Sequence, residues 1–163
     1  MLLLFNRWSE IDWSQFLDVC LQSNTKRGQC DYPAFTPYEQ LQMAERDVCE
    51  YLRDAFRENA FKCAAWALDG QYKAVLRLEK YMNGYLITGL ETAANERRKG
   101  YAEALLRSIL TVLPGICIYS HINRNNFSSI QLHEKCGFVR ILDYAAFLDG
   151  SVSTTAVTYC IQT

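Results

Sequence analysis

Apolar positions recur along this chain at two periods, and the switches between them mark out its elements. The opening run Met1-Leu2-Leu3-Leu4-Phe5 predicts a short first strand. Trp13, Phe16, Leu17, Cys20 and Leu21 then recur at helical spacing. Asp12-Trp13-Ser14-Gln15 fits a capping box ahead of them, with Asp12 as N-cap and Gln15 reaching back. The polar stretch Ser23 to Thr36, with Pro33 inside it and Pro37 just beyond, predicts a loop. Leu41, Ala44, Val48, Tyr51, Leu52, Ala55 and Phe56 make a second helical stripe, and Glu45, Asp47, Glu50 and Arg53 fall on its solvated face. Trp13, Phe16, Tyr51 and Phe56 are expected in the core.

After Asn59 the period changes to two. Phe61 to Leu68, Tyr72 to Tyr81 and Tyr85 to Thr92 read as strands separated by Asp69-Gly70 and Asn83-Gly84. Asp-Gly and Asn-Gly between apolar runs signal type I′ hairpins, whose central residues need positive φ, so the three strands form an antiparallel meander. From Lys99 to Leu113 the helical stripe returns in Ala102, Leu105, Leu106, Ile109, Leu110 and Leu113, and Pro114-Gly115 stops it. Ile116 to Ile122 is a strand, parallel to the last meander strand because a helix separates the two. A short helix from Phe127 to Cys136 ends at Gly137, and Asp149-Gly150 joins two last strands, Phe138 to Phe147 and Ser151 to Gln162. The fold class is therefore α+β: a mostly antiparallel sheet with one parallel βαβ pair, flanked by helices.

Length and composition narrow the possibilities without naming an activity. At 163 residues the chain is expected to form a single domain, 1–163, and 50% hydrophobic with 21% charged residues is globular composition. A net charge of −1 supplies no global field for nucleic acid or anionic membranes, so neither is expected as a partner. Seven scattered cysteines without a CxxC pair argue for reduced thiols rather than a disulfide framework or a metal site. The opening apolar run is too short for a signal sequence, and a soluble, cytoplasmic protein is expected. Only two histidines occur, His121 and His133.

The candidate chemistry gathers after the third meander strand, in Leu90-Glu91-Thr92-Ala93-Ala94-Asn95-Glu96-Arg97-Arg98-Lys99-Gly100-Tyr101-Ala102. A strand, a basic loop with a glycine and a helix N-terminus together make an anion site. The first-turn N–H groups lack intrahelical acceptors, the helix dipole adds positive charge, and Gly100 allows close backbone approach. The same pattern also fits a solvated basic helix start.

This stretch resembles the central motif of the GNAT acetyltransferase superfamily, Gln/Arg-x-x-Gly-x-Gly/Ala. Here it stands as Arg97-x-x-Gly100-x-Ala102, preceded by Leu90, Thr92 and Ala94 where the family usually has Leu, Val and Pro. A second family motif matches in spacing as Asn126-x-x-Ser129-x-x-x-His133-x-x-x-Gly137-Phe138. The resemblance covers about Phe61 to Thr163 and implies acetyl-CoA as co-substrate, no metal, and a small-molecule or peptide amine as acceptor. It implies that backbone N–H groups from Arg97 to Ala102, Tyr101 included, hold the pyrophosphate, with Arg98 or Lys99 on other phosphates. Leu90 to Thr92 would pair with the pantetheine amides. Asn126, with Ser129 beside it in the motif, would contact the cofactor, cap its own helix, or both.

His133 takes the position where the family usually carries a tyrosine that protonates the leaving thiolate; a half-buried helix histidine without a catalytic task fits the same position. For the base that deprotonates the amine, Glu91 is the first candidate and His121 the second. Arg77 and Glu79 either shape an acceptor pocket or form a surface pair. Tyr32, Phe35 and Tyr38 either line such a pocket or pack their own loop. The implied reaction is direct N-acetylation of a primary amine in a ternary complex. The alternative is a non-catalytic acyl-CoA-binding regulatory module. The edge of the last strand offers pairing to a second subunit, as in a homodimer.

Overall fold

The computed structural model describes residues 1–163. In chain order it contains β1 (Leu2–Phe5), α1 (Trp13–Asp31), α2 (Pro37–Arg57), β2 (Phe61–Leu68), β3 (Gln71–Tyr81), β4 (Gly84–Thr92), α3 (Tyr101–Val112), β5 (Cys117–Asn123), α4 (Phe127–Lys135), β6 (Val139–Leu142), β7 (Ala145–Ala146), β8 (Val152–Ser153) and β9 (Ala156–Gln162). Seven strands form one sheet in the order β1-β2-β3-β4-β5-β9-β6, and β7 and β8 form a separate hairpin. Every pairing is antiparallel except β4 with β5. No helix is long and apolar enough to cross a membrane. All seven cysteines are free.

The two sheet faces bury different residues. Ala64, Leu76, Leu78, Ile118 and Ile122 pack with Leu105, Leu106 and Ile109 of α3. On the opposite face Cys63, Ala65 and Val75 pack with Phe16, Val19 and Cys20 of α1 and with Phe56 of α2. Fully burying a leucine or phenylalanine is worth about 1.5–3 kcal/mol, so these two layers supply the main drive for assembly.

Four expectations change on folding. α1 runs on through Ser23 to Asp31, and the connection shrinks to Tyr32–Thr36. The apolar stripe had faded there because only Asn24 and Gly28 face inward, and no proline interrupts the turn before Pro33. Leu21 points outward instead. Tyr51 also lies on the surface, its hydroxyl donating to Glu79 Oε1 at 3.3 Å. The second hairpin turn lies one residue earlier than expected: Met82, not Asn83, takes positive φ, and Gly84 already belongs to β4.

The fourth change concerns the last strand. β9 lies inside the sheet between β5 and β6, so β1 and β6 are the edges and the expected pairing edge on the final strand does not exist. The two predicted terminal strands are each broken near Asp143 and Thr154. Arg124 holds both breaks, donating to the Asp143 and Thr154 carbonyls, so the β7–β8 hairpin forms its own ladder while the Tyr81 hydroxyl keeps β7 against the sheet.

The caps hold largely as read. Asp12 accepts from the Gln15 N–H, while the Gln15 amide bonds the Asp12 carboxylate rather than the backbone. Thr36 and Glu39 form a full capping box on α2, the Thr-x-x-Glu spacing ahead of its apolar stripe.

Candidate functional site

β4 and β5 stay parallel for four residue pairs only, Gly84–Ile87 with Cys117–Ser120, and then part. At the parting β4 carries a bulge: Leu78 pairs with Ile87 but Arg77 pairs with Gly89, leaving Thr88 as the extra residue. Beyond it, the β4 backbone has no strand partner on the β5 side. Unpaired strand groups of this kind accept an extended ligand as an added strand would.

The chain then turns through a short 3-10 segment, Ala94–Glu96, into α3. Arg98 and Gly100 both take left-handed conformations, with φ of +65° and +85°. No side chain caps α3, so its first N–H groups stay free for an anion. They open into a cavity of about 770 Å³ between β4, α3 and α4. That volume suits a sizeable organic ligand.

The cavity brings most of the expected cofactor residues together. Leu90, Thr92, Arg97, Arg98, Gly100, Tyr101, Ala102, Asn126 and Ser129 all line it. Lys99 does not; its ammonium is held by Glu96 at 2.6 Å. Lys73 joins the same carboxylate at 3.1 Å, and these two hydrogen-bonded cations hold Glu96 below the usual carboxylate range. Lys135 and Glu103 also line the cavity and were not singled out in the sequence. Lys135 meets Glu103 at 2.6 Å and Arg107 meets it at 3.0 Å, so the Glu103 carboxyl is likewise lowered. Glu96 and Glu103 are thus each balanced by two cations. Arg98 forms no ion pair, and Arg97 spends one Nη on Gln22 of α1. The only sequence signal for Lys135 was its charge; the crossing of α3 and α4 gives it a place.

Asn126 caps α4, accepting from the Ser129 N–H at 3.2 Å and the Ser128 hydroxyl at 3.1 Å. His133 is 1% exposed and does not line the cavity. Its Nδ1 lies 2.8 Å from the Ser129 carbonyl, which requires a proton on Nδ1. Nε2 is left as a buried lone pair without a partner, and the ring stands edge-on to Phe138. Burial pulls the His133 pKa down, and the bond to Ser129 only partly offsets this.

The bulge decides where Glu91 points. It pairs with Val75, on the α1 face, and stands close enough to the Cys20 thiol to add to the upward shift that burial imposes there. Its residue also borders the cavity. His121 lies on the same face, one residue past the parting, with Tyr81 and Phe147 edge-on to its ring. Both its nitrogens are buried without partners, and burial lowers its pKa. Glu79 and Arg77 are not an ion pair: Glu79 accepts from Tyr51, and Arg77 donates to the Thr88 carbonyl at 3.3 Å. Tyr32 donates to Asp47 and stands edge-on to Phe35, which is loop packing away from the cavity. No group of three or more His, Cys, Asp or Glu side chains is arranged to hold a metal ion.

Two histidines whose ring nitrogens are buried without a compensating charge make stability depend on pH. Their folded pKa values lie below 6.5, so the unfolded chain binds more protons once the pH drops beneath that value. Tm is expected to fall between pH 7 and pH 5, and His133→Phe to make that fall shallower in thermal unfolding across the range. An unchanged slope would show that His133 is not the buried neutral ring described.

Residues 8–138 match the family described as Acetyltransferase (GNAT) family. No curated protein matches the sequence significantly. Among solved structures, the paia N-acetyltransferase of Thermoplasma acidophilum in complex with coenzyme A is similar, with a TM-score of 0.67 at 13% identity over 100% of this chain and 99% of that one. The ribosomal-protein-S18-alanine N-acetyltransferase of Escherichia coli aligns with a TM-score of 0.62 at 15% identity, covering 99% of this chain and 93% of that one. An IAA acetyltransferase from Bacillus cereus aligns over 100% of both chains, with a TM-score of 0.60 and 15% identity.

Proposed function

Because the chain belongs to the GNAT family of acetyltransferases, we propose that it transfers an acetyl group from acetyl-CoA to a primary amine, directly, in a ternary complex. One observation carries this reading: the uncapped N-terminus of α3 and the unpaired end of β4 open into the same cavity. An anion cradle beside an unpaired strand edge fits a ligand with a phosphate end and an extended amide arm.

In this reading the N–H groups from Arg97 to Ala102 hold the pyrophosphate. Arg98 and Lys135 meet further phosphate charge. Leu90 to Thr92 bond the amide arm through their backbone, and N–H groups near the bulge face the oxyanion that develops at the thioester carbonyl. The amine attacks as a free base, so a group on the α1 face takes its proton. Glu91 and His121 both stand there, and His121 is neutral at working pH and able to accept. His133 takes the family's proton-donor position, but its ring is buried off the cavity with a bare Nε2. It can protonate the departing sulfur only after it reaches the cavity and takes up the proton that the base removed from the amine; otherwise that proton returns to the thiolate through solvent.

The test is thiol release from acetyl-CoA over a panel of amines, with wild type, His133→Phe and Glu91→Gln. His133→Phe is expected to lower kcat about tenfold, at the weak end of acid–base catalysis because a thiolate leaves readily. Full activity in that variant removes the acid assignment. Glu91→Gln is expected to cost 10²-fold or more if Glu91 is the base. If Glu91→Gln stays active and His121→Asn does not, the base is His121, and kcat/KM falls at a pH beneath the ordinary imidazole value, because burial lowers its pKa. CoA binding without turnover of any amine would favour a regulatory binding module.

A further inference from the structure

Arg77 occupies an unusual position on the α1 face of the sheet. It pairs with Gly89 at the bulge, and its guanidinium fills the space that a side chain at 89 would take, Cζ lying 2.8 Å from where a Cβ would stand. One Nη2 hydrogen goes to the Thr88 carbonyl. A guanidinium has five N–H donors, and Arg77 makes no other side-chain bond, so most of its donors remain for a ligand. It is partly exposed, and it stands where β4 and β5 part.

Two carboxylates flank it on the same face. Glu79 lies two residues along β3, and Glu91 lies on β4 opposite Val75, two residues the other way. Neither comes within ion-pair distance of another group; Glu79 holds only the Tyr51 hydroxyl. Tyr51 is 54% exposed and Phe147, against His121, is 43% exposed, so aromatic surface remains uncovered on both sides. This order of charges discriminates. A simple cationic amine is repelled by the guanidinium nearest the parting, and a simple anion is repelled by the two carboxylates. A molecule carrying an amine and a carboxylate within a few bonds satisfies both.

We propose that the acceptor is an α-amino acid or a similarly compact amino carboxylate, its carboxylate held in the fork of Arg77 and its amine placed at the β4 bulge. This rests on the acetyl-transfer reading. The amine nitrogen forms a bond to the acetyl carbon as the carbon–sulfur bond breaks, and the electron pair leaves with sulfur. The proton lost by the amine balances the one gained by the thiolate, giving an N-acetylamino acid and CoA. Nothing beyond the two substrates is consumed. Arginine suits the carboxylate better than lysine because its planar fork bonds both oxygens at once.

Matched acceptors test this: phenylalanine against phenethylamine, and leucine against isopentylamine. Wild type is expected to favour each amino acid by about 10²-fold in kcat/KM, Arg77→Gln to bring the ratio near one, and Arg77→Lys to recover part of it. Preference for the plain amines overturns the proposal. An equal loss on both members of a pair also overturns it, because Arg77 is then only a strut for the bulge. If nothing is turned over, calorimetry on the CoA-loaded protein decides. Tighter binding of N-acetylphenylalanine than of N-acetylphenethylamine, lost in Arg77→Gln, supports the assignment; equal or absent binding defeats it. Failure of CoA itself to bind defeats the acetyl-transfer reading instead, so the two failures are distinguishable.

Discussion

Gly100→Val is expected to weaken CoA binding about 30-fold or more, which corresponds to about 2 kcal/mol. Two effects add. Gly100 sits at φ +85°, where a β-branched residue is strained by about 1–2 kcal/mol. Nothing lies within 4 Å of a Cβ at that position, so the first added carbon stands clear of the rest of the fold. It stands instead in open space at the helix N-terminus, where a phosphate has to approach the N–H groups. Loss of even one or two charge-assisted hydrogen bonds accounts for the estimate. Gly100→Ala carries most of the strain with less bulk, so it should lose stability similarly and affinity less. Calorimetry with CoA, alongside thermal unfolding of the free protein, separates the two contributions. Undiminished affinity in Gly100→Val would mean that the phosphates do not sit at this terminus.

Gly84→Ala is expected to be the most destabilising single methyl on the chain, costing about 3 kcal/mol or more. Its Cβ would overlap the carbonyl oxygen of Cys117, a backbone atom that cannot swing aside. Gly84 and Cys117 are the first of the four residue pairs that join β4 to β5. The turn before them is already tied down, with Asn83 accepting from the Tyr119 hydroxyl at 2.6 Å and its amide 3.4 Å from the Cys117 sulfur. The backbone must therefore move where the sheet has least pairing to spare. For a chain of this length the loss corresponds to a fall in Tm of roughly 6–12 °C. The parting of the strands starts from this short parallel segment, so kcat should fall along with stability when measured below the new Tm. A Tm within a degree or two of wild type would show that the two backbones are not in such close contact.

Local patterns set most of the elements. The stripe from Leu105 to Leu113 predicted α3 because a helix buries every third or fourth residue against one sheet face. Asp69-Gly70 placed the first hairpin because both residues take positive φ, as they do in the structure. Gly137, with φ +95°, ended α4 as a left-handed cap must. The uncapped helix start at Gly100 was equally legible, since it depends on a glycine and its neighbours along one continuous segment.

Patterns failed wherever a residue answered to a partner distant in sequence. The stretch of α1 from Ser23 onward reads as loop because its inward positions, Asn24 and Gly28, are not apolar. Tyr51 was read as core because the stripe could not show that α2 leaves it beside Glu79 at the surface. The last strand was read as an edge, whereas β9 is held on both sides.

The sequence by itself determined the helices, the strands as far as β5 and the helix start from Arg97 to Ala102, because each rests on spacings within one segment, and the family through two such segments. Only the tertiary structure decided what faces what. A single extra residue, Thr88, reverses strand parity, so Glu91 joins Arg77, Glu79 and His121 on the α1 face rather than packing under α3. Packing of α4 buries His133 against Phe138 and leaves its Nε2 bare. Register and helix crossing are settled by packing between segments far apart in the chain, and no local run of residues encodes them.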